Sequence, residues 1–491
     1  MDENREIDFK GRVLDNVHGF IYYTAAEEQI MNTSLFKRLQ SIKQLSIVNW
    51  VFPGSEHTRY IHSLGVMYIA DKIALQLKLS NKERRIVRFA GLLHDIGHYP
   101  LSHVCEYPYK ESLQDFPDSD YCKSINKNVK NEIDNLKDKS NHVYMRKSNG
   151  CHHEQIGADI ILHNEEINKI IIEECGDRNA VEIISDMVIG NVERTNPLLV
   201  QILHSELDAD GIDYLMRDAM FSGTSFGAFE LDQLIGCMCR GKYEDKEILC
   251  ISPKGIAAAD QYLINKFFSY SQVVFNKHIG ITEWMAEQIV NWMQRNSAYF
   301  PRSSKLKKWV TNAVTDSHYI DFTDNYFWAS LQNLISNPLS ETEPVFIKYF
   351  CEQLLHHSEL QYEDNSEVKI VSTDMETIKK EIQESNYYKR LENWTDRIGI
   401  LNIRSISKQT KQKEFDEILQ KKVDEDNKRP NDLDIVTEDD NSMLQARRLM
   451  ECICVKEDND LHLLCDDKRS MMQTMYNLKL VIFRTYQCRP E

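Results

Sequence analysis

Apolar residues recur at three- and four-residue spacing through much of the first 300 positions, and that rhythm predicts helices. Between Glu27 and Leu79 it passes through Leu35, Leu39 and Ile42, then through Leu64, Tyr68 and Leu75. Two helices are expected there, with a turn at Pro53-Gly54 between them. Ser80 followed by Glu83 forms a capping box, and Ile86, Val87, Phe89, Ala90, Leu92 and Leu93 continue into a buried helix. Gly97 and Pro100 end it, leaving His94 and Asp95 on its last turn and His98 and His103 in or just beyond the break. Helical spacing returns at Glu154 and persists, with breaks, to about Asn296. Past Glu341 the pattern mixes, and Glu367 to Ser372 and Leu478 to Thr485 cluster strand-forming residues.

The expected architecture is therefore mainly α: a helical domain over residues 1–300, a helical connection over 301–340, and a smaller α+β module over 341–491. Residues 107–151 are rich in Lys, Asp, Asn and Ser and read as an exposed insertion. Asp424 to Asn441 is acidic and nearly free of apolar residues, as a linker or disordered loop would be.

Composition narrows the function classes. A chain of 491 residues with 42% hydrophobic content, 11 Pro and 18 Gly excludes collagen-like, mucin-like and wholly disordered classes. A net charge of −17 argues against extended nucleic-acid binding but leaves room for a small anion in a local basic pocket. Twelve Cys without a CxxC pair or zinc-module spacing point to reduced thiols and a cytoplasmic location. No signal-peptide core and no apolar run of about 18 residues are present, so no membrane role is expected.

Five of the 16 His lie between His57 and His103, more than a satisfied core needs. Neighbouring helix residues point about 100° apart, so His94 and Asp95 can share one ion only from a helix end or a widened cleft, and Gly97 supplies such an end. Farther on, Leu203, Leu207, Asp210, Tyr214 and Asp218 fall on one arc of a helical wheel. A carboxylate on that apolar face requires a cation, a metal or a hydrogen-bonded partner, and Asp213 with Arg217 is such a pair on the flank. His62, His94, Asp95 and Asp210 together offer two imidazoles and two carboxylates, a donor set suited to Mn, Fe, Co, Ni or Zn. His152-His153-Glu154 is a further candidate group.

These residues resemble the HD-domain phosphohydrolases and, within them, the deoxynucleoside triphosphate triphosphohydrolases. The resemblance rests on His62 in HTRYIHSLGV, His94-Asp95 in GLLHDIGHYPLSH and Asp210 in ELDADGIDYLMRD, and covers about residues 12 to 300. It implies that His62, His94, Asp95 and Asp210 bind a divalent metal. It also implies that His98, His103, Glu106 and His153 are catalytic or supporting residues. Gln44-Leu45 would face the sugar, Arg59 would meet a phosphate or nucleotide, and Tyr214 and Asp218 would pack on the deoxyribose and hold its 3′-hydroxyl. Mg could accompany the nucleotide, and a homo-oligomer is implied. Gly211 stands where relatives carry a phosphate-binding Lys, so a triphosphate must draw on other cations, with Lys266 and Lys277 as candidates. Asn32, Lys37 and Gln40 depart from the family's regulatory nucleotide site, and Val274 replaces a common nucleotide-facing Tyr.

The reaction implied is hydrolysis of dNTP to deoxynucleoside and triphosphate. An alkoxide is a poor leaving group, so a positioned acid is needed beside the metal, and His103 backed by Glu106 fits that need. The alternatives are an HD phosphohydrolase acting on a monophosphate, cyclic or oligonucleotide substrate, or a nucleotide-sensing regulatory or defence subunit.

Overall fold

A computed structural model describes residues 6–110, 153–243, 245–296, 299–311, 317–337, 345–358, 361–362, 367–385, 397–407, 452–458 and 460–487. Short polar residues set the helix starts. Thr24 and Ser80 each accept a backbone N–H three residues on, while Glu27 and Glu83 reach back to the caps. These two capping boxes open α1 (Ala25–Asn32) and α3 (Asn81–Leu93). Between them α2 (Arg59–Gln76) is buried over much of its length and packs along α3. After α4 (His103–Lys110), α5 (His153–His163) and α6 (Asn179–Ile189) pack on each other, and α7 (Ala209–Ser222) lies against α2. α8 (Ile256–Ser269), a π-helical turn at Tyr270–Val274, α9 (Lys277–Arg295) and α10 (Asp324–Ser336) complete the part of the core that matters for the site.

Helical spacing reported burial more faithfully than helix continuity. α1 stops at Asn32, because the Thr33 side chain both donates to Ile30 O and accepts from Phe36 N, closing one helix and starting a short turn. Leu35, Leu39 and Ile42 are buried as expected, but on broken turns, so Gln44-Leu45 lie in the loop before α2. Likewise α7 begins only at Ala209, capped by Asp208, and Leu203 and Leu207 are buried ahead of it. The expected insertion starts too early at 107: α4 runs through Lys110, and Tyr109 Oη donates to Pro301 O. Residues 111–152 and Asp424 to Asn441 lie outside the described residues.

Two hairpins were not foreseen in the helical domain. β1 (Phe9–Asp15) pairs antiparallel with β2 (Gly19–Thr24), and β3 (Met238–Tyr243) with β4 (Lys246–Ile251). β8 (Cys454–Glu457) then adds parallel to β4, and β9 (Asp460–Leu463) to β8, so this sheet crosses the boundary drawn at 341. The second sheet centres on β10 (Lys479–Gln487), flanked by β5 (Gln361–Tyr362), β6 (Val368–Ser372) and β7 (Arg397–Ser405). Both strand clusters read from the sequence are present. The molecule is mainly α with a smaller, sheet-bearing C-terminal region. Among the described residues, no helix is long and apolar enough to cross a membrane.

Candidate metal centre and active site

Three helices converge on one cluster. α2 carries His62, the end of α3 carries His94 and Asp95, and the first turn of α7 carries Asp210. His62 Nδ1 donates to Asp213 Oδ2 at 2.7 Å, which turns Nε2 toward Asp210 Oδ1 at 3.0 Å and Asp95 Oδ2 at 3.8 Å. His94 Nδ1 donates to Gly91 O at 2.8 Å, leaving Nε2 buried and without a hydrogen bond, 3.4 Å from Asp95 Oδ1 and 3.8 Å from Asp210 Oδ1. The ligand atoms of His62, His94 and Asp95 all lie within 4.8 Å of one another. Bare ring nitrogen and carboxylate oxygens facing each other call for a cation, and this N/O set suits a first-row divalent ion.

The carboxylates dominate the electrostatics of the cluster. Burial would depress His62, but hydrogen bonds to Asp210 and Asp213 outweigh it and raise the imidazole to about 10. Burial would raise Asp95, yet the Arg59 guanidinium, with His94 and His62, holds its carboxyl far below the usual range.

A second histidine group adjoins the first. Glu106 Oε2 accepts from His103 Nδ1 at 2.8 Å, and its Oε1 accepts from His153 Nδ1 and the His153 backbone N, both at 2.9 Å. His98 stacks on His153 with centroids 4.0 Å apart, makes no hydrogen bond through either ring nitrogen, and places Nε2 3.6 Å from Asp95 Oδ1. His98 thus bridges the two groups. A Cβ at Gly97 would collide with His153 O and Gly157 N, so glycine is what lets α5 come close enough. Of the three imidazoles only His103 is open, its side chain 66% exposed.

The segment leading to His103 is strained. Leu101 and Ser102 have φ of 48° and 53°, at a cost of about 1–2 kcal/mol per residue. Ser102 Oγ accepts from Arg59 Nε at 2.8 Å and donates to Lys43 O at 2.7 Å, while Asp324 accepts from Leu101 N at 2.7 Å and Lys43 N at 2.9 Å. The carboxylate at the start of α10 therefore clamps two loops that wall the site.

Asp210, Tyr214 and Asp218 form a row along α7, spanning about 12 Å. At its far end Asp218 Oδ1 accepts from His57 Nε2 at 2.8 Å, and Gln44 N donates to His57 O at 3.0 Å. Gln44 Oε1 is buried without a hydrogen bond, and Leu45 beside it is half-buried. Lys266 on α8 holds Nζ over the Tyr214 ring at 5.5 Å and the Tyr262 ring at 5.4 Å. The room beside Gly211 is taken: a Cβ there would strike Tyr262 Oη and lie 3.4 Å from Lys266 Nζ.

The structure thus brings His62, His94, Asp95 and Asp210 together and sets His98, His103, Glu106 and His153 beside them, while Arg59 departs from its expected place. Arg59 donates to Asp95 Oδ2 at 2.6 Å and to Ser102, so it braces the cluster rather than standing free. Sequence reading missed several partners. Asp213, taken as half of a flank pair, is fully buried and accepts from His62, from Arg217 and from His18 Nε2 at 2.6 Å. The signal was its neighbourhood, Ile212 and Leu215 in an apolar helix. His57 was within the histidine-rich stretch, but nothing local marks Ser102, His18 or Asp324.

Residues 59–215 match the family model for the HD domain. An uncharacterised protein of Methanocaldococcus jannaschii is 28% identical over 278 residues, 57% of this chain and 49% of that protein, so the match spans about half of that relative. The deoxynucleoside triphosphate triphosphohydrolase SAMHD1 of Bos taurus is 40% identical over 97 residues, 18% of this chain and 16% of that protein. The crystal structure of a hypothetical protein from Aquifex aeolicus shares the fold, with a TM-score of 0.62 at 19% identity over 97% of this chain and 96% of its own. The matched span contains both histidine groups and Asp210, and this chain carries an HD domain.

Proposed function

We propose that this protein is a metal-dependent phosphohydrolase that converts a deoxynucleoside triphosphate to deoxynucleoside and inorganic triphosphate. The observation that carries the reading is the pairing of the metal-type group His62, His94 and Asp95, joined by Asp210, with one exposed imidazole, His103, backed by a buried carboxylate. Similarity to a deoxynucleoside triphosphate triphosphohydrolase over 97 residues supports the substrate class. A divalent metal held by His62, His94, Asp95 and Asp210 would supply Lewis-acid polarisation of the α-phosphoryl group and of the attacking water.

The chain's own residues do the rest. The His103 Nδ1 hydrogen bond to Glu106 leaves Nε2 as the free ring nitrogen, and the carboxylate favours the imidazolium against burial, which holds the imidazole below its ordinary value. Water adds to the α-phosphorus as the bond to the 5′-oxygen breaks. That oxygen keeps the electron pair and takes the Nε2 proton, and the proton lost by the water restores the imidazolium through solvent. Arg59 fixes Asp95 and brings positive charge beside the reacting phosphate. Leu45 would crowd a 2′-hydroxyl, while Gln44 and Asp218 would meet the 3′-hydroxyl. A cytoplasmic homo-oligomer is part of the same proposal.

Purified protein with Mn²⁺ or Mg²⁺ is incubated with four dNTPs, four NTPs and a cyclic dinucleotide, and products are separated by ion exchange. Deoxynucleoside and triphosphate from the dNTPs are expected. Monophosphate and diphosphate as products, or turnover of the cyclic dinucleotide alone, would overturn the reading.

A further inference from the structure

We propose that Arg404, on β7 of the C-terminal region, is a substrate-binding residue of this active site and, with Lys266, grips the polyphosphate end of the nucleotide. This rests on the triphosphohydrolase reading for its choice of ligand.

The argument starts at Gly211. Tyr262 Oη and Lys266 Nζ fill the space into which a side chain at 211 would grow, so no cation can come from α7 at that point. The cations nearby come from elsewhere. Lys266 rises from α8, over the faces of Tyr214 and Tyr262, and donates to Tyr262 Oη at 3.4 Å. Arg404 lies with Cζ 3.8 Å from the centre of the Tyr270 ring, in the π-helical turn that follows α8. Tyr270 N donates to Lys266 O, so the ring under Arg404 stands one helical turn beyond Lys266, and the guanidinium charge bears on the Tyr214 phenol and the Lys266 ammonium.

Neither cation is in contact with a carboxylate: among the described residues, none lies within 4.0 Å of Lys266 or Arg404. Asp208 attracts Lys266 without reaching it, since its two oxygens are turned to Gly211 N and Ser205 N. Two like charges held together repel, and the arrangement is relieved by an anion with several charges lying between them. One end of such an anion would be at the metal cluster, because Tyr214 sits one helical turn beyond Asp210. A polyphosphate has the length and charge for both places, whereas orthophosphate occupies only the first. The fork of a guanidinium suits phosphate oxygens well.

The position of Arg404 is built rather than incidental. β7 pairs with β10 through its whole length, with Arg404 opposite Leu480. Just past the strand, Ser407 Oγ donates to the buried Glu206, two residues before the Asp208 cap of α7. On the other flank Arg484 donates to Phe275 O and Tyr486 Oη to Lys277 O, immediately after the π-helical turn. The C-terminal sheet is thereby tied to both sides of the nucleotide end of the site.

The test is calorimetric binding of inorganic triphosphate and of orthophosphate to the full chain loaded with Mn²⁺, comparing wild type, Arg404→Gln and Arg404→Lys. Arg404→Gln should weaken triphosphate at least tenfold and orthophosphate less than twofold, with Arg404→Lys in between and an unchanged melting temperature. Undetectable triphosphate binding by wild type, an unchanged triphosphate affinity in Arg404→Gln, or an equal loss for both anions would each overturn the proposal. Products formed by wild type from dNTP test the underlying reading separately, since the anion measurement needs no turnover.

Discussion

Asp324→Ala separates stability from catalysis in this fold. The carboxylate sits outside the matched HD span, yet it holds Leu101 N and Lys43 N and so maintains the left-handed backbone that leads to His103. Burial pushes its carboxyl up to about 6, against the opposing pull of the two N–H groups and of Lys43 and Arg38. A rise of about two pH units means that the ionised form is held at a cost of roughly 3 kcal/mol. Because the folded value lies above the unfolded one, that cost is present above about pH 6 and disappears below about pH 4. Removing the side chain abolishes the cost but strands two backbone donors at about 1–3 kcal/mol each. The loop can then relax, recovering about 1–2 kcal/mol for each left-handed residue. At mid-range these terms leave about 2 kcal/mol in favour of the variant, so the unfolding free energy at pH 7 should not fall by more than about 1 kcal/mol. Catalysis has no such compensation: a shift of about 1 Å in His103 should lower kcat by about 100-fold. Urea unfolding and kcat with metal-saturated enzyme measure the two effects. A kcat within threefold of wild type would refute the clamp.

Four further outcomes rest on the same geometry. Asp213→Asn should lower Mn²⁺ affinity by about 10–100-fold, because the carboxylate orients His62; equal affinity by calorimetry would show that the ring is held by other contacts. His103→Ala should retain metal by elemental analysis while kcat falls by about 10²–10⁴-fold, and a kcat near wild type would move the acid to His98 or His153. dNTP should exceed NTP by at least about tenfold in kcat/KM, reflecting about 1–3 kcal/mol for an unpaired 2′-hydroxyl. Leu45→Ala should shrink that ratio; if it only lowers the melting temperature, Leu45 is a core residue.

Much of the metal-type cluster was legible because its residues are tied to helix ends. Ser80, Glu83 and Gly97 bracket α3, and once its end is known His94 and Asp95 must point into whatever packs there. Asp210 was legible as a carboxylate on an apolar arc, even though the helix begins later than the arc suggests. Buried ion pairs were not legible, because sequence spacing does not tell a flank from a core. Asp213 and Arg217 look like an ordinary surface pair at i,i+4, yet Arg217 also binds Asp15 and is among the largest fully buried side chains. The hairpin β3–β4 was hidden for a different reason: its third neighbour, β8, comes from beyond residue 450, and such pairing leaves no local trace.

The same distinction governs how function is divided in the chain. A fragment ending at Leu215 would retain His62, His94, Asp95, His103 and Asp210, and with them the groups that the proposed chemistry requires. It would lack Asp218, which receives the His57 hydrogen bond, Lys266, which occupies the space beside Gly211, and Asp324, which clamps the loop before His103. In the proposed function the first two lie on the nucleotide side of the cluster, and the third controls geometry without touching it. On the proposed function, substrate choice rests on elements outside the HD span: the loop at Gln44-Leu45, Asp218 at the end of α7, Lys266 on α8 and the C-terminal sheet. Relatives that share the HD span but differ in those elements should share metal binding and differ in substrate, since a fold hosts chemistry while its added walls select the ligand.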